Sequence, residues 1–588
     1  MADKSDRGLL GQKLFALTPS VCVRYANATW LWEFGGRING GEAMLQKVPG
    51  YSIVADEIYN SGLRAVFGLM GEGNLDILCD MQARYDVRYV GSRHDAGAVS
   101  MAVGYANATG GFGLATLTYG PAIANCIGAI ISAVRSSAQI LILTTHNPVD
   151  DWKNLQRMDQ EALIAGAEAT LILIDRAEDV QHAVTRAFAL IARIKKPVVL
   201  SFLSRLLQED VPVTDGPPPK EPQPALPAID DGQFRKFESA FDRAQRPAIL
   251  IGRGAVLAGA VPSLLKLAER RNAVVTTSLL AAGAAEGNAR NLGICGGFGS
   301  ARTNEILKRT DVVAVFGAGL NMWTTRGGMA FPQAQLLHCD WYAAAFERSL
   351  VKSDIPLVAD AKTAADRLLA SLPEVEDREV WWNVGISDSK SEELPATDRL
   401  HPVAVNRRLD QILPLNRTVT TDGGHFFEFP IRALKIQDQR GFLFTPSFGC
   451  IGLGLSSAIG AAVARPDRVS VAVCGDGGLM MALPEFETAV RSRLPMVVIV
   501  MNDQAYGAEI KHLEHRGWNL DYARFENPDL SAVARALGGD GIEVRTLQDL
   551  DLVEAAIATL KRPLLIDIHI DGSVTGKWVG LSRGEIED

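Results

Sequence analysis

Short apolar runs alternate with amphipathic stretches between residues 51 and 207 of the chain. The apolar runs are rich in Val, Ile and Leu, and the stretches between them repeat their apolar positions with helical spacing. Strands are therefore predicted at 64–69, 88–93, 113–118 and 139–146, and helices at 74–85, 96–109 and 123–137. Such an alternation is typical of a parallel sheet covered by helices on both faces.

The same alternation returns in two further blocks, and two segments without it separate the blocks. A proline-rich stretch at 217–227 is typical of an extended linker, and a polar stretch at 373–398 precedes the third block. Residues 1–46 lack the pattern and are predicted to form an irregular N-terminal extension. We predict an α/β protein with three doubly wound parallel-sheet domains, at residues 47–215, 228–372 and 399–588.

Composition agrees with a globular protein and removes several functional classes. The 588 residues are too many for one hydrophobic core and suggest about three domains. Because the net charge is −9 and no long basic run occurs, neither nucleic acid nor a membrane surface is expected as a partner. No apolar stretch reaches the length of a membrane span. The seven cysteines contain no Cys-x-x-Cys pair, which argues against a zinc site and favours a reducing cytoplasm.

Polar residues follow two predicted strands of the third block, and they are the clearest chemical signal in the chain. A strand at 469–474 runs into Gly475-Asp476-Gly477-Gly478, and a strand at 496–501 runs into Asn502-Asp503. Ligands bind outside the carboxyl ends of parallel strands, so Asp476 and Asp503 should lie close enough to share one cation. Magnesium prefers oxygen ligands and often joins carboxylates to phosphates.

The glycines beside Asp476 strengthen this interpretation. Gly477 and Gly478 allow the backbone to approach a phosphate, and the start of the following helix offers free N–H groups. Asp and Gly are also common turn residues. Oxygen ligands at both strand ends of one unit nevertheless favour a metal and phosphate site.

These residues resemble the motif of the thiamine diphosphate-dependent enzymes, in which Gly-Asp-Gly is followed by a spacer in the mid-twenties and then Asn-Asn. Here the spacer, residues 478–501, has 24 residues, and Asp503 stands where the family has its second Asn. The resemblance implies that Asp476, Asp503 and the backbone carbonyl of Ala505 bind Mg²⁺. It also implies that the cofactor, thiamine diphosphate, contacts Gly475, Asp476, Gly477, Gly478, Asp503, Ala505 and Tyr506.

Two other segments of the third block resemble cofactor loops of this family. Residues 421–426 resemble the loop that touches the diphosphate, and residues 447–454 resemble the loop that holds the bent cofactor. In the second loop, the Gly449 carbonyl would accept from the cofactor's 4′-amino group. Ile451 matches the apolar wedge that imposes the bend, although core packing alone would explain an isoleucine. The resemblance thus assigns cofactor contacts to Gly424, His425, Phe426, Gly449 and Ile451.

The family activates its cofactor with a carboxylic acid, usually a Glu that follows an Arg-His pair. The acid promotes loss of the C2 proton, which gives the ylid that adds to the substrate. This chain has Arg93-His94-Asp95 there, so the resemblance assigns the role to Asp95. Asp is shorter than Glu by about 1.5 Å of reach, so a backbone shift, a bridging water or weaker activation would follow. Judged locally, Asp95 is an equally good N-cap for the helix that begins there.

Glu72 and Glu509 match acidic positions of pyruvate decarboxylase-like members of the family. Glu72 follows the strand at 64–69, and Glu509 comes six residues after Asp503. Near a bound carboxylate substrate, burial and like charge would raise the pKa of both groups and suit them to proton transfer. The alternatives are a helix-terminal acid for Glu72 and a solvated helix residue for Glu509.

The substrate loop resembles acetolactate synthase more than pyruvate decarboxylase. The His-His pair of the decarboxylases is missing, and Thr118-Tyr119-Gly120-Pro121 resembles the Ser-Gly-Pro-Gly loop of acetolactate synthase-like members. Thr118, Tyr119 and His512 are candidate substrate contacts. The resemblance implies an enzyme that decarboxylates or ligates a 2-oxo acid or related carbonyl substrate. The alternatives are a carbon–carbon lyase or hydrolase that acts without decarboxylation, and a cofactor-binding protein with little catalysis.

The resemblance also bears on the central block and on assembly. Gly252-Arg253-Gly254 matches the dinucleotide fingerprint incompletely, so FAD or an adenine nucleotide is considered there but not favoured. In this family, the first domain of one subunit holds the pyrimidine and the third domain of another holds the diphosphate. Asp95 and Asp476 would then come from different chains, which makes a homodimer the minimum and a homotetramer the expectation.

Overall fold

Three α/β domains follow one another along the chain in a computed structural model that describes residues 22–24, 46–213, 226–375, 380–383, 394–395 and 397–582. Each domain has a parallel sheet, of seven strands in the first and six in each of the others. Helices flank all three sheets, as the alternation of apolar and amphipathic segments predicts, so the predicted fold class is confirmed. Within the described residues, no helix combines the length and the apolar character needed to cross a membrane.

The first domain carries its sheet between two layers of helices. Its strands are β1 (Cys22–Arg24), β2 (Gln46–Pro49), β3 (Ala65–Gly68), β4 (Arg88–Gly91), β5 (Gly113–Thr116), β6 (Ile140–His146), β7 (Thr170–Ile174), β8 (Val198–Leu203) and β9 (Asp210–Val213). Its helices are α1 (Gly50–Asn60), α2 (Leu75–Arg84), α3 (Asp95–Thr109), α4 (Pro121–Asn125), α5 (Ile127–Arg135), α6 (Gln160–Gly166), α7 (Ala183–Ile194) and α8 (Ser204–Gln208). The strands β2 and β9 form a separate antiparallel pair.

Two sequence predictions for this domain can be compared with the structure. The sequence predicts an irregular N-terminal extension; residues 22–24 of it form β1, which pairs in parallel with β7, and the other residues before 46 lie outside the described part. The single helix predicted at 123–137 is two helices, α4 and α5, because the helix is interrupted at Cys126.

The central domain has a second sheet of its own. Its strands are β10 (Pro247–Ile251), β11 (Val274–Thr277), β12 (Asn291–Ile294), β13 (Val312–Phe316), β14 (Gln335–Asp340) and β15 (Ile355–Val358). Its helices are α9 (Asp231–Asp242), α10 (Arg253–Leu257), α11 (Val261–Arg270), α12 (Ala301–Leu307), α13 (Ala344–Glu347) and α14 (Ala361–Ser371). Its strands run in the order third, second, first, fourth, fifth, sixth, which is the order of a Rossmann fold.

The third domain contains the chemical motif. Its strands are β16 (Arg417–Thr421), β17 (Phe442–Phe444), β18 (Val469–Gly475), β19 (Met496–Asn502), β20 (Asp540–Val544) and β21 (Leu564–His569). Its helices are α15 (Pro402–Ile412), α16 (Glu428–Ala433), α17 (Gly454–Ala464), α18 (Asp476–Ala482), α19 (Pro484–Arg491), α20 (Gly507–Arg516), α21 (Leu530–Ala536), α22 (Leu550–Ala558) and α23 (Trp578–Ser582). The sequence predicts one helix after Gly475-Asp476-Gly477-Gly478, and the structure has two there, the short α18 and then α19.

The first and third domains share one strand order. We number the strands of each sheet in chain order, from β3 in the first domain and from β16 in the third. In both sheets the strands then lie in the order second, first, third, fourth, sixth, fifth, and β1 is an additional edge strand of the first sheet. The central domain has a different order. The two domains that resemble cofactor-binding units therefore have the same topology, which their sequences did not reveal.

The first and third domains pack together within the chain through α3 and α17. A side chain on Gly104 of α3 would come within 1.8 Å of the Ser457 carbonyl, and one on Gly460 of α17 within 1.9 Å of the Met101 carbonyl. Only glycine permits backbones to approach so closely. A single apolar core contains residues from both domains, which ties the two units into one body.

Candidate active site

Two carboxylates lie at the carboxyl ends of neighbouring strands of the third domain. β18 and β19 pair in parallel up to Gly475 and Met501, so Asp476 and Asp503 follow adjacent strand ends. Asp476 is only 1% exposed, and burial together with the charge of Asp503 raises its pKa to about 7. Two buried like charges repel each other unless a cation or proton lies between them. The arrangement is therefore suited to a divalent ion.

A network of side-chain amide hydrogen bonds fixes the position of Asp476. Asn527 Nδ2 donates to Asp476 Oδ2 at 2.6 Å and lies 3.3 Å from Asn502 Oδ1. Asn502 in turn donates to the buried Asp567 Oδ1 at 2.8 Å. Outer hydrogen bonds of this kind orient a metal-binding carboxylate. Asn527 lies on a loop without regular pattern, so sequence reasoning had no signal for it.

His425 lies beside the second carboxylate. Its Nε2 is 2.9 Å from Asp503 Oδ2, and both side chains are almost completely buried. The His425 backbone carbonyl accepts from Trp578 Nε1 at 3.2 Å, which anchors the histidine to the C-terminal helix α23. The imidazole thus lies against the carboxylate that stands where the family has its second Asn.

The segment after β19 turns sharply at Gln504, which has a φ of +59°. Ala505 pairs with Arg524 through an isolated antiparallel bridge. Its two hydrogen bonds are Tyr506 N–H to the Ala523 carbonyl at 2.8 Å and Phe525 N–H to the Gln504 carbonyl at 3.0 Å. Because both bonds are made by the residues next to Ala505, Tyr506 and Gln504, the bridge does not engage the carbonyl of Ala505.

The glycines of the motif pack against aromatic rings and leave no room for side chains. A Cβ on Gly477 would lie 2.6 Å from the Tyr506 ring, and one on Gly475 would lie 2.9 Å from the Phe426 ring. Gly477 and Gly478 occupy the first turn of α18, whose N–H groups have no partner within the helix. These N–H groups are therefore available where a phosphate could be bound.

Asp422 fixes the loop that presents Gly449 and Ile451. Its Oδ2 accepts from Gly452 N at 2.8 Å, and its Oδ1 accepts from Gly423 N at 2.8 Å. Complete burial raises the pKa of Asp422 to about 6. Gly449 has a φ of +86° and open space around it, as a backbone that faces a ligand requires. A carboxylate directly after a buried strand and before two glycines was the available signal for Asp422, and the sequence prediction did not use it.

Asp476, Asp503, Gly449 and Ile451 line one cavity of about 560 Å³, a size typical of sites for small ligands. The two carboxylates line it together with two further predicted site residues, Glu509 and His512. The cavity is also lined by the predicted residues Gly424, His425, Phe426, Gly449, Ile451, Gly475, Gly477, Gly478, Ala505 and Tyr506. An aromatic wall lines another part, with Phe298, Trp323, Phe427, Phe444 and Trp578. The sequence offered no indication of this wall, because its rings come from three distant segments.

Two predicted catalytic residues, Asp95 and Glu72, are not among the described residues that line this cavity. Asp95 is 6% exposed, accepts from Asn125 Nδ2 at 3.0 Å through Oδ2, and has no hydrogen bond to a described residue at Oδ1. Its alternative role as helix N-cap is wrong, because His94 is the N-cap and accepts from Ala96 N. The Asp95 carboxylate is thus left available for another partner.

Glu72 lies near Tyr119, whose hydroxyl donates to Glu72 Oε2 at 3.3 Å. Thr118 is close by, because its Oγ1 accepts from Gly73 N at 3.2 Å. Glu72 and Glu509 are both exposed in the single chain. Any burial that would suit them to proton transfer must therefore come from a bound substrate or a second chain.

The turn after β10 in the central domain also reaches the other domains. Arg253 Nη1 donates to Asn107 Oδ1 of α3 at 2.9 Å, and Asn107 donates to the Phe442 carbonyl of the third domain at 3.1 Å. Burial lowers the pKa of Arg253 to about 10. The arginine of this glycine turn thus joins the three domains.

The donor set fits thiamine diphosphate and Mg²⁺. The paired carboxylates, of which Asp476 has a pKa raised by burial and by the charge of Asp503, match a hard divalent ion. The N–H groups at the start of α18 suit a diphosphate. The Oγ of Ser447 at the cavity is buried without a hydrogen-bond partner in the described structure, as is Asp95 Oδ1 in the first domain. Fold and site therefore define an α/β enzyme with a site suited to a metal ion and a diphosphate group at the edge of its third sheet.

Comparison with known proteins gives the family. Residues 49–163 match the thiamine pyrophosphate enzyme N-terminal TPP binding domain, 235–368 the central domain, and 422–568 the C-terminal TPP binding domain. The chain belongs to the thiamine diphosphate-dependent enzyme superfamily, in its acetolactate synthase and pyruvate decarboxylase-like group. The resemblance read from the motif is thus confirmed.

Acetolactate synthases are among the similar proteins. The acetolactate synthase large subunit of Haemophilus influenzae is 26% identical, over 90% of this chain and 96% of its own length. The isozyme 3 large subunit of Escherichia coli is 25% identical over the same shares. A probable acetolactate synthase large subunit of Methanocaldococcus jannaschii is 26% identical, over 89% of this chain and 92% of its own.

Proposed function

We propose that the protein is a thiamine diphosphate- and Mg²⁺-dependent enzyme that decarboxylates or ligates a 2-oxo acid or related carbonyl compound, as acetolactate synthases do. The observation that carries this proposal is the buried pair Asp476 and Asp503, which faces a cavity lined by the Gly449 loop. The similarity to acetolactate synthase large subunits along nearly the whole chain supports the reaction class.

Asp476, Asp503 and the carbonyl of Ala505 would hold the metal, and the backbone at Gly477 and Gly478 would bind the diphosphate. When bound, the cofactor supplies a carbon that adds to a carbonyl and then accepts the electrons of a broken carbon–carbon bond. The chain's own residues hold this group, exclude water and move protons. His425, whose Nε2 lies 2.9 Å from Asp503 Oδ2, would orient that carboxylate.

Asp95 would act on the cofactor's pyrimidine ring. Its Oδ1 has no partner among the described residues and can hold the proton that activation requires. Asn125 fixes the other oxygen and orients the carboxyl group. Glu72, with Tyr119 beside it, and Glu509 at the cavity are the proposed acid–base groups for the substrate.

We also propose that each active site is built by two chains. The acids of the first domain lie outside the cavity of their own chain, and the loop that carries Gly449 is partly uncovered, with Phe448 46% exposed. A second copy would bring its Asp95 to this loop and cover it. A homodimer is then the minimum active unit, and a homotetramer is the expected assembly.

Mixing two inactive variants tests this arrangement. Asp95→Asn and Asp476→Asn should each abolish most activity alone. After subunit exchange, random pairing puts one intact site into half of the dimers, so activity should recover to roughly a quarter of wild type. No recovery, with mixed dimers demonstrated by mass spectrometry, would show that one chain contains the whole site.

The reaction itself is tested with the full-length protein, Mg²⁺, thiamine diphosphate and a panel of 2-oxo acids. Released CO2 together with an aldehyde or a 2-hydroxy-2-oxoalkyl product supports the proposal. Cleavage of a diketone or 2-hydroxyketone without CO2 would assign the protein to the lyases or hydrolases. Tight cofactor binding with no turnover on any substrate would leave a binding protein with little catalysis.

The remaining proposals concern the location of the protein, its macromolecular partners and a second cofactor. We propose a cytoplasmic enzyme without nucleic-acid or membrane partners, since the net charge is −9 and the cysteines are free in the described residues. We also propose that the central domain needs no flavin or adenine nucleotide, because Arg253 of its glycine turn is engaged with Asn107.

A further inference from the structure

Glu485 is a buried acid of the third domain that contacts the backbone of the first. It is the second residue of α19 and is 2% exposed. Its Oε1 accepts from Arg93 N at 3.0 Å and from His94 N at 2.9 Å. These are the two residues that precede Asp95, so one carboxylate oxygen binds both peptide groups leading to the proposed activating acid.

The carboxylate of Glu485 is itself held in place. Its Oε2 accepts from Thr488 Oγ1 at 2.8 Å. On the other side lies Gly97, where a Cβ would come within 2.3 Å of Glu485 Oε1. The absence of a side chain at Gly97 therefore gives the carboxylate room to reach the backbone of the first domain.

We infer that Glu485 is a positioning residue that sets the location of Asp95 by binding the backbone in front of it. The inference rests on the proposed function, in which Asp95 activates the cofactor. An Asp reaches about 1.5 Å less far than a Glu, so its carboxyl group cannot compensate for a displaced backbone. A contact that fixes residues 93 and 94 therefore matters more here than in an enzyme with Glu at this position.

A neighbouring acid on the same helix provides a matched control. Glu487 Oε2 lies 2.7 Å from Arg93 Nε, and Glu487 also pairs with Arg491 at 3.2 Å. It thus joins the same two segments, but through an Arg93 side chain that is 51% exposed. Half-exposed ion pairs contribute little to stability, and this one does not bind the peptide groups before Asp95.

The experiment compares Glu485→Ala, Glu485→Gln and Glu487→Ala in the full-length protein with thiamine diphosphate and Mg²⁺. The main readout is the rate at which the cofactor's C2 proton exchanges with deuterium, which requires no substrate. Calorimetry gives the cofactor affinity, and thermal unfolding shows whether each variant is folded. Gln retains an oxygen that can accept both N–H bonds, and the Thr488 hydroxyl can accept from its amide.

We expect Glu485→Ala to slow C2 exchange by about 100-fold, the cost of a misplacement of about 1 Å. Glu485→Gln and Glu487→Ala should stay within about threefold of wild type, as changes that keep the backbone contacts. Cofactor affinity should change far less than exchange. Wild-type exchange in a folded Glu485→Ala variant would overturn the inference.

Gly97→Ala tests the same contact from the first domain and serves if Glu485→Ala does not fold. It should also slow exchange, because the new methyl group displaces the Glu485 carboxylate; wild-type exchange in this variant overturns the inference equally. Asp95→Asn separates the two levels of the proposal. If Asp95→Asn exchanges normally, the role of Asp95 itself is wrong, whereas slow exchange there with normal exchange in the Glu485 and Gly97 variants refutes positioning alone.

Discussion

The first and third domains have the same strand order but carry different functional side chains at the corresponding sheet edges. The third domain places Asp476 and Asp503 side by side at a cavity, where burial and the charge of Asp503 raise the pKa of Asp476. The first domain places Asp95 and Glu72 after neighbouring strands, outside that cavity, with no partner at Asp95 Oδ1 in the described residues. In the proposed function, one topology thus serves two tasks, since metal binding needs paired carboxylates and activation needs an acid with a free oxygen.

The largest expected effect separates binding from activation. Asp476→Ala should weaken thiamine diphosphate binding in the presence of Mg²⁺ by about 100-fold, because a buried charged interaction of about 3 kcal/mol is lost. Asp95→Ala should weaken binding by only about fivefold, the loss of one hydrogen bond, while turnover falls about 100-fold. Isothermal titration calorimetry and steady-state rates check both variants. Equal loss of binding in the two would remove the distinction between the domains.

The second prediction compares one exposed acid from each domain. Glu72→Gln or Glu509→Gln should lower kcat by about 100-fold if that residue transfers a proton to or from the substrate. A solvated side chain without such a role should change kcat by no more than about twofold. We expect the large effect for both. Rates measured at saturating substrate decide, and a small effect in one variant would confine acid–base chemistry to the other domain.

The third prediction concerns the histidine beside the metal site. His425→Ala removes the imidazole that lies 2.9 Å from Asp503 Oδ2 and should weaken Mg²⁺ binding by about tenfold, as loss of an outer contact does. His401→Ala is a suitable control, because this histidine caps α15 and is not among the residues lining the cavity. Titration of the cofactor-loaded protein with Mg²⁺ measures the effect. Unchanged affinity in His425→Ala would show that Asp503 needs no partner.

The smallest effect is a pH dependence within the third domain. Burial and Asp503 raise the pKa of Asp476 to about 7 in the metal-free protein, so a proton competes with Mg²⁺ below that pH. Apparent affinity should therefore be constant above about pH 8 and fall by about tenfold for each pH unit below 7. Calorimetry between pH 6 and pH 8 checks this. A flat profile would show that the carboxylate is already ionised without metal.

The sequence predicted more of the candidate site residues in the third domain than in the first. Asp476 and Asp503 follow apolar strands directly, and adjacent parallel strands end at the same edge, so local pattern was enough to predict their proximity. Asn527 and Glu485 carry no such signal. Asn527 contacts Asp476 from a loop, and Glu485 contacts the segment before Asp95 from a helix of another domain. Asp95 was recognised only through the family resemblance, and local rules wrongly offered it as a helix cap.

The sequence by itself determined the fold class, the three domains and the pair of acids that follow β18 and β19, because the alternation of strands and helices and the position of strand ends are local properties. Only the tertiary structure decided which side chains meet across domains. The Glu485 contact with residues 93 and 94, the Arg253 bond to Asn107 and the aromatic wall all join segments far apart in the chain. Such contacts depend on how packed domains are oriented, and no local pattern encodes that orientation.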